Sequence, residues 1–381
     1  PMMNGTDFIA LRKAANIYTT NGTDEDNSVN TDWQSMFYRT GIQTNHDISV
    51  TGGTQKGSYR FGADYYSDQA VIPGSDYIRY SIRGSVDQEI GKYIHVGVTT
   101  NSNYNITDGA GLGMYGVLSM SPIANPYNAD GSLKTTVQMP LDKQWVYSKG
   151  GIEGLGDKWK DQTKAFASYN SVFGEVKIPG VEGLKYRINV GLDFRMSNGG
   201  NYTGVGVFSS TSDNPSTANI TNTLTTHWAV EHLLSYDRTF AQKHKVNAVV
   251  MYSSEQSKYN KSYMAAKNIP ADAFQFYNIG QAAAADITVS PNNQDYVVSG
   301  LMSYMGRVMY SYDDRYMLSA TFRADASSRL APGHKWHNYP AVSVGWNIMK
   351  ESFMKSITVI DALKLRAGYG QTSNQSVNPY S

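Results

Sequence analysis

The sequence predicts an all-β protein, an antiparallel transmembrane β-barrel wall of about twelve strands. Three observations predict it. Apolar and polar residues alternate over stretches longer than an ordinary strand. No apolar run is long enough to make a membrane-crossing helix. Short and long connections take turns along the chain. The alternation is plainest from Leu184 to Arg195. Leu184, Tyr186, Ile188, Val190, Leu192 and Phe194 fall on one face, and Lys185, Arg187, Asn189, Gly191, Asp193 and Arg195 on the other. Successive side chains change face, and about twelve residues at roughly 3.3 Å each reach about 40 Å, enough when tilted to cover an apolar band of about 25 Å.

Bulk composition narrows the class. The chain has 381 residues and a net charge of +1, so no basic footprint points to nucleic acid. Mean hydropathy is −0.43, a value that averages a polar inner face with an apolar outer one. Cysteine is absent, which excludes disulfides and thiolate metal sites. There are 28 tyrosines; tyrosine suits a membrane–water boundary, where ring and hydroxyl each find a preferred phase, although β propensity also favours it.

Residues 1–45 read as irregular, with a short helix over Asp7–Ala15 capped by Thr6 or Asp7 and a solvated acidic loop at Asp24, Glu25 and Asp26. Strands then follow. Ile48 and Val50 mark the first. Tyr59, Phe61, Ala63 and Tyr65 mark the second, with Arg60 and Asp64 opposite. Ile78, Tyr80, Ile82 and Val86 stand against Arg79, Arg83 and Asp87, and Ile94, Val96 and Val98 continue. Gly52-Gly53, Pro73-Gly74 and Gly91 punctuate these as turns. After a long polar segment come Phe166–Lys177, the Leu184 strand, and a strand marked by Leu224, Trp228, Val230, Leu234 and Tyr236. Val246, Ala248, Val250 and Tyr252 follow. Then Met302, Tyr304, Val308 and Tyr310 turn through Asp313-Asp314 into Leu318, Ala320 and Phe322. Val342, Val344, Trp346 and Ile348 lead through Met349–Ala362 to Leu363, Leu365, Ala367 and Tyr369.

Connections near residues 90, 180, 242, 313 and 355 are short, and those near 130, 210, 275 and 332 are longer. An up-and-down barrel puts alternate connections on opposite sides of the membrane, with short periplasmic turns and long outer loops. The turn near Pro73 is then a short outer loop.

Specific residue strings add a resemblance. They are Thr31-Asp32-Trp33-Gln34, Phe37-Tyr38-Arg39-Thr40, Asn45-His46-Asp47-Ile48-Ser49-Val50-Thr51-Gly52-Gly53 and Tyr304-Met305-Gly306-Arg307-Val308. To these belong Tyr312-Asp313-Asp314-Arg315-Tyr316, Arg323-Ala324-Asp325-Ala326-Ser327-Ser328-Arg329, and Trp336 with Tyr339-Pro340-Ala341-Val342-Ser343 and Gly345-Trp346. Leu363-Lys364-Leu365-Arg366-Ala367-Gly368-Tyr369-Gly370 and Thr372-Ser373-Asn374-Gln375 complete the set. In these the chain resembles the SusC/RagA-type TonB-linked outer-membrane transporters of Bacteroidota, Ala326 standing where glycine is expected. The resemblance implies a barrel of about 22 strands, of which this chain is an internal piece. The plug and the segment that meets the TonB complex are expected upstream, and the closing strands downstream. It also implies a SusD-like lipoprotein lid and import of glycans or oligopeptides. Residues 1–45 are then an extracellular loop region between early strands. Residues 46–381 are partial barrel, with long extracellular loops near 105–164, 197–222 and 254–296.

No catalytic nucleophile, acid pair, cofactor motif or metal cluster emerges. His334 and His337 read as loop-tip hydrogen-bonding residues, and His227 and His232 fall on opposite faces. Gly109-Ala110-Gly111-Leu112-Gly113 lacks the lysine and helix of a phosphate loop. Function is expected in the lumen and the outer loops. Tyr127, Trp145, Tyr147, Trp159, Tyr202, Phe274, Phe276 and Tyr277 are candidates for stacking on substrate; the plainer reading has them packing loop against loop or against the lid. Arg60, Arg79, Arg83, Arg187, Arg195, Arg307 and Arg323 are expected to face inward, since arginine toward lipid costs about 2–4 kcal/mol at the midplane. Asp64, Asp87, Asp193 and Asp325, or carboxylates of the plug, are their expected partners. Tyr80, Phe194, Trp228, Tyr236, Tyr310, Phe322 and Trp346 are expected in the outer girdles. The competing readings are a plugless passive porin, a soluble glycan-binding or adhesin β protein and, more remotely, a glycan-cleaving enzyme.

Overall fold

The structure, a computed structural model, describes residues 3–372 together with Asn374 and Val377. Pro1, Ser373, Gln375 and Ser381, which figured in the sequence reading, lie outside the described residues. Twelve strands pair in chain order in one antiparallel sheet. They are β1 Ile42–Thr54, β2 Gly57–Gln69, β3 Asp76–Ile90, β4 Ile94–Asp108, β5 Trp159–Lys177 and β6 Leu184–Thr203. Then come β7 Thr217–Phe240, β8 His244–Lys267, β9 Asp295–Tyr312, β10 Tyr316–Ser327, β11 Trp336–Asn347 and β12 Lys364–Gly370.

The register turns the period-two pattern into two continuous faces, because directly opposed residues in an antiparallel pair share a side. Val190 lies opposite Val172 on β5 and Val230 on β7; Leu318 lies opposite Tyr310 on β9 and Val344 on β11. The apolar face is bare: Ile48 is 71% exposed and Ile82 66%. No soluble fold leaves a whole sheet face of valine, isoleucine and tyrosine uncovered; against lipid the same face costs nothing. All seven expected girdle rings lie on it, and all seven named arginines lie on the opposite, inner face.

One end of the sheet carries tight hairpins. Ala241 and Gln242 (φ 46° and 60°) and Asp313 and Asp314 (both φ 54°) adopt the paired left-handed conformation of a type I′ turn. The connection between β11 and β12 holds two short 3₁₀ turns, Ile348–Lys350 and Ser352–Met354. That connection, expected to be short, runs over residues 348–363 and is longer than the β6–β7 loop, residues 204–216, at the other end. The other end carries the two longest connections, residues 109–158 and 268–294. β7 and β8 have 24 residues each, about 80 Å at roughly 3.3 Å per residue, so they project far beyond an apolar band of about 25 Å. This corrects the expected loop limits: pairing continues to Thr203 and Lys267 and resumes at Thr217, inside stretches read as loops near 197–222 and 254–296. Polar strand ends above the membrane carry no apolar alternation to reveal them. Likewise β4 reaches Asp108, β5 begins at Trp159 and β1 begins at Ile42.

The amino-terminal stretch is ordered on the long-loop end. The helix α1 spans Gly5–Ala14, with Asn4 as its cap rather than Thr6 or Asp7: Asn4 Oδ1 accepts the Asp7 N–H at 2.9 Å. A second helix, α2 (Trp33–Phe37), buries Trp33 and Phe37, and the Trp33 indole N–H donates to the Ser121 carbonyl at 2.8 Å. In the acidic stretch Asp26 is exposed, but Asp24 and Glu25 are structural and not merely solvated. Glu25 is buried and accepts from Arg12 at 3.0 Å, and the Asp24 carboxylate takes the Lys134 ammonium at 2.8 Å. The reason is tertiary: these cations come from α1 and from a loop more than a hundred residues away.

Candidate functional site

Two small cores hold the long-loop end together, and most of the candidate aromatics are in them. The first joins Trp33, Phe37, Val117, Val137 and Val146 with Trp145, while Tyr147 and Trp159 pack against it. Trp145 sits at the end of a short ribbon, Lys143–Trp145 paired with Thr136–Gln138. It meets Tyr147 edge-on at 4.9 Å. Burial raises the Tyr147 phenol above its ordinary range. Into this cluster the β6–β7 loop inserts Phe208, stacked on Tyr147 at 5.7 Å and edge-on to Trp145 at 5.0 Å and Trp159 at 5.5 Å. Phe208 holds φ 52°, a left-handed conformation unusual for a bulky residue. Sequence reasoning missed it, because a lone loop phenylalanine carries no pattern.

The second core gathers Tyr202, Ala218, Ala266, Ile269, Phe276 and Ile279, with Phe274 packed against it. Tyr202 is wholly buried and donates its hydroxyl to Asp272 at 2.5 Å. Gly200 is forced here by close approach: a Cβ would lie 2.3 Å from the Phe276 ring. Of the eight candidates, Tyr127 (46% exposed) and Tyr277 (60%) are open at the surface. The structure thus brings Trp145, Tyr147 and Trp159 together in one cluster and Tyr202, Phe274 and Phe276 in another. It leaves Tyr127 outside both and Tyr277 exposed beside Phe276 at 4.4 Å.

The inner face of the sheet carries charged and polar side chains that register brings together. Arg79 pairs with Asp64 at 3.2 Å and Arg323 with Asp325 at 2.7 Å, as the sequence led one to expect. Asp87 and Asp193 take histidines instead: His95 lies 2.9 Å from Asp87, and His227 Nδ1 lies 3.6 Å from Asp193. Arg83 reaches past Gly62 to Asp47, two strands away. Arg187 lies over the Phe173 ring at 3.8 Å and donates to Asn189 at 2.8 Å; Asn189 in turn donates to Glu231 at 3.1 Å. Nearer the long loops, His227, Glu255, Ser257, Ser299, Ser327 and Arg329 line one cleft, with His227 Nε2 3.8 Å from Glu255. Cross-strand pairing assembles this cleft from β7, β8, β9, β10 and the loop after β10, which no single stretch of sequence displays. His232 falls on the outer face, where its Nδ1 pairs with the Tyr186 hydroxyl at 2.7 Å. His337 Nε2 pairs with the His334 carbonyl at 2.9 Å; His334 lies in the loop, but His337 lies at the start of β11 and not at a loop tip. Gly109 lies so close to the β2–β3 turn that a Cβ would be 2.2 Å from the Gly74 carbonyl, which accounts for one glycine of that run. Among the described residues no cluster suited to a metal ion occurs.

A sheet with a bare apolar outer face, a charged and hydroxylated inner face and its longest loops at one end is the wall of an outer-membrane β-barrel. Known proteins place it more closely. Over 92% of its length the chain is 26% identical to TonB-dependent receptor P3 of Formosa agariphila and 23% identical to TonB-dependent receptor SusC of Bacteroides thetaiotaomicron. It covers 35% of each of these proteins, so it spans about a third of the length of the curated relatives it matches. The RagAB peptide transporter superposes on the whole chain with a TM-score of 0.81 at 17% identity, over 46% of that protein's chain. No family model matches. The chain is outer-membrane β-barrel wall, and in sequence it is similar to TonB-dependent receptors that include SusC.

Proposed function

We propose that the chain forms part of the barrel of a TonB-dependent importer that takes up glycans or oligopeptides beneath a SusD-like surface lipoprotein. The observation that carries this reading is the sorting of the chain: a lipid-compatible wall whose longest connections lie at one end and pack there into two ordered cores. In this reading residues 1–45 and the loops near 105–164, 197–222 and 254–296 face the exterior and meet the lid. The energy-coupling contact with TonB belongs to a segment upstream of this chain. The similarity to SusC and to RagAB supports both partners. Substrate contacts fall to exposed rings such as Tyr127 and Tyr277, and to the inner-face cleft around His227, Glu255 and Arg329. The buried Trp145, Tyr147, Trp159, Tyr202, Phe274 and Phe276 act by holding the loops that present those groups. The test is uptake by cells carrying the full-length receptor, with and without functional TonB and with and without the neighbouring lipoprotein. Uptake that fails when either is removed supports the importer; uptake that persists without TonB makes this a passive porin.

A further inference from the structure

Away from both aromatic cores and from the inner cleft, α1 and the β4–β5 loop enclose a pocket of about 680 Å³. Small-molecule sites run to about 300–1,000 Å³. The lining is largely apolar: α1 lends Phe8 and Leu11, and the loop lends Leu118, Met120, Met139 and Leu141. Glu25 and Ser121 line it as well. A polar groove of Thr19, Thr20, Asn21, Thr23 and Gln138 adjoins the pocket and shares Tyr18, Met139 and Pro140 with it.

Two buried polar atoms of this lining are orphaned. The Glu25 side chain is 1% exposed. Its Oε2 accepts from Arg12 and from the Gly22 N–H, each at 3.0 Å, while Oε1 has no partner among the described residues. The Ser121 hydroxyl has none either. Buried groups of this kind are seldom left unmade, because their desolvation is then uncompensated. Arg12 cannot relieve them, for its guanidinium is already spent on Glu25, on the Tyr18 carbonyl and on the Thr20 carbonyl at 3.1 Å.

We infer that this pocket is a binding site for a phenolic ring. The apolar lining takes the ring, and methionine sulfur makes favourable contacts with aromatic edges. A phenol hydroxyl donates one proton and accepts with its lone pairs, so it serves both orphans: it donates to Glu25 Oε1 and accepts from Ser121. An ether has no proton to give, and a carboxylate meets the Glu25 charge. Both orphans are closed to solvent, so the ring reaches them by parting flexible side chains such as Met120. The polar groove holds whatever the ring is attached to. The site is independent of the import reading, since binding is measured without uptake.

The test uses the full-length protein in lipid nanodiscs and saturation-transfer NMR, with the signal of empty nanodiscs subtracted. The probes are 4-ethylphenol and 4-ethylanisole, which has the same apolar body but no hydroxyl proton. The phenol is expected to bind about tenfold more tightly than the ether, as befits a hydrogen bond to a charged group. Ser121→Ala leaves the Arg12–Glu25 pair in place and is expected to weaken phenol binding about fivefold. In Glu25→Gln the amide oxygen stays with Arg12 and Gly22, and its NH₂ group replaces Oε1, so the preference for phenol over ether is expected to vanish. Equal affinity of the unsubstituted protein for phenol and ether overturns the proposal, as does the absence of saturation transfer, or phenol binding that neither substitution changes. Heat-modifiable mobility confirms that each variant is folded. Competition separates two sources of the ring: displacement of 4-ethylphenol by N-acetyltyrosinamide supports the site as one for a tyrosyl side chain, and binding of 4-ethylphenol that N-acetyltyrosinamide does not displace supports it as one for a free phenol.

Discussion

At the scale of single residues, burial decides what each ring and charge does. Trp145 is 8% exposed and wedged between Tyr147 and Phe208. Truncating such a residue costs about 3–5 kcal/mol. Trp145→Ala is therefore expected to loosen the loop between β4 and β5 instead of merely weakening a ligand contact. Limited proteolysis of the assembled receptor should show new cleavage between residues 109 and 158; unchanged protection would return Trp145 to the list of direct ligand contacts. Asp24 gives a pH-dependent counterpart. Desolvation works against its carboxylate, but the Lys134 ammonium at 2.8 Å and the Gln138 N–H at 2.6 Å outweigh that and hold it below the usual range. A depressed carboxyl stabilises above its unfolded pKa of about 3.9 and loses that contribution as pH falls through the lower folded value. The tie between residues 24 and 134–138 should thus hold at pH 5 and above and release only in stronger acid, whereas Asp24→Asn should give protection that is weaker but flat with pH. Protease protection measured across that range checks it.

At the scale of elements, the hairpins set the register and the register sets the faces. Slipping one residue would move Val190, Leu192 and Phe194 from lipid to lumen and put Arg187 and Arg195 in their place. The turns carry this burden in strained form, since Ala241 and Gln242 are both left-handed without being glycine. Gln242→Gly is expected to relieve about 1 kcal/mol, seen as a higher unfolding midpoint in urea with unchanged spectra; a lower midpoint would mean that the glutamine makes a compensating contact. The β10–β11 pair is pinned at the same end by Glu351. Its carboxylate accepts from the Tyr316 hydroxyl at 2.7 Å, the Trp346 indole at 2.9 Å and Arg315 at 3.2 Å, and the first two hold its pKa low. Two rings at the short-turn end are thereby fixed by one turn residue.

At the scale of the whole molecule, stability and function share one geometry. A continuous outer face lets the wall sit in lipid, and the strand length beyond the apolar band lifts the loops clear of it. Val190 stands in the middle of that face, between Val172 and Val230. Val190→Arg should cost about 2–4 kcal/mol and reduce the amount of folded, heat-modifiable receptor in outer membranes. Gly191→Arg, one residue along on the inner face, should be tolerated better. Equal assembly of the two variants would reverse the assigned faces.

The wall was legible from the chain alone because its signal is local. Alternation within a strand and the lengths of successive connections both survive in one dimension, and the seven inward arginines and seven girdle rings followed from them. What the chain alone left open needed partners distant in sequence: the burial of Glu25 against Arg12, the insertion of Phe208 among Trp145, Tyr147 and Trp159, and the choice of His95 and His227 as the partners of Asp87 and Asp193. The inner cleft belongs to the same group. Periodicity tells a residue which side it faces, but only the pairing of strands tells it whom it meets, because contact between neighbours in a sheet is fixed by register across hydrogen bonds and not by position along the backbone.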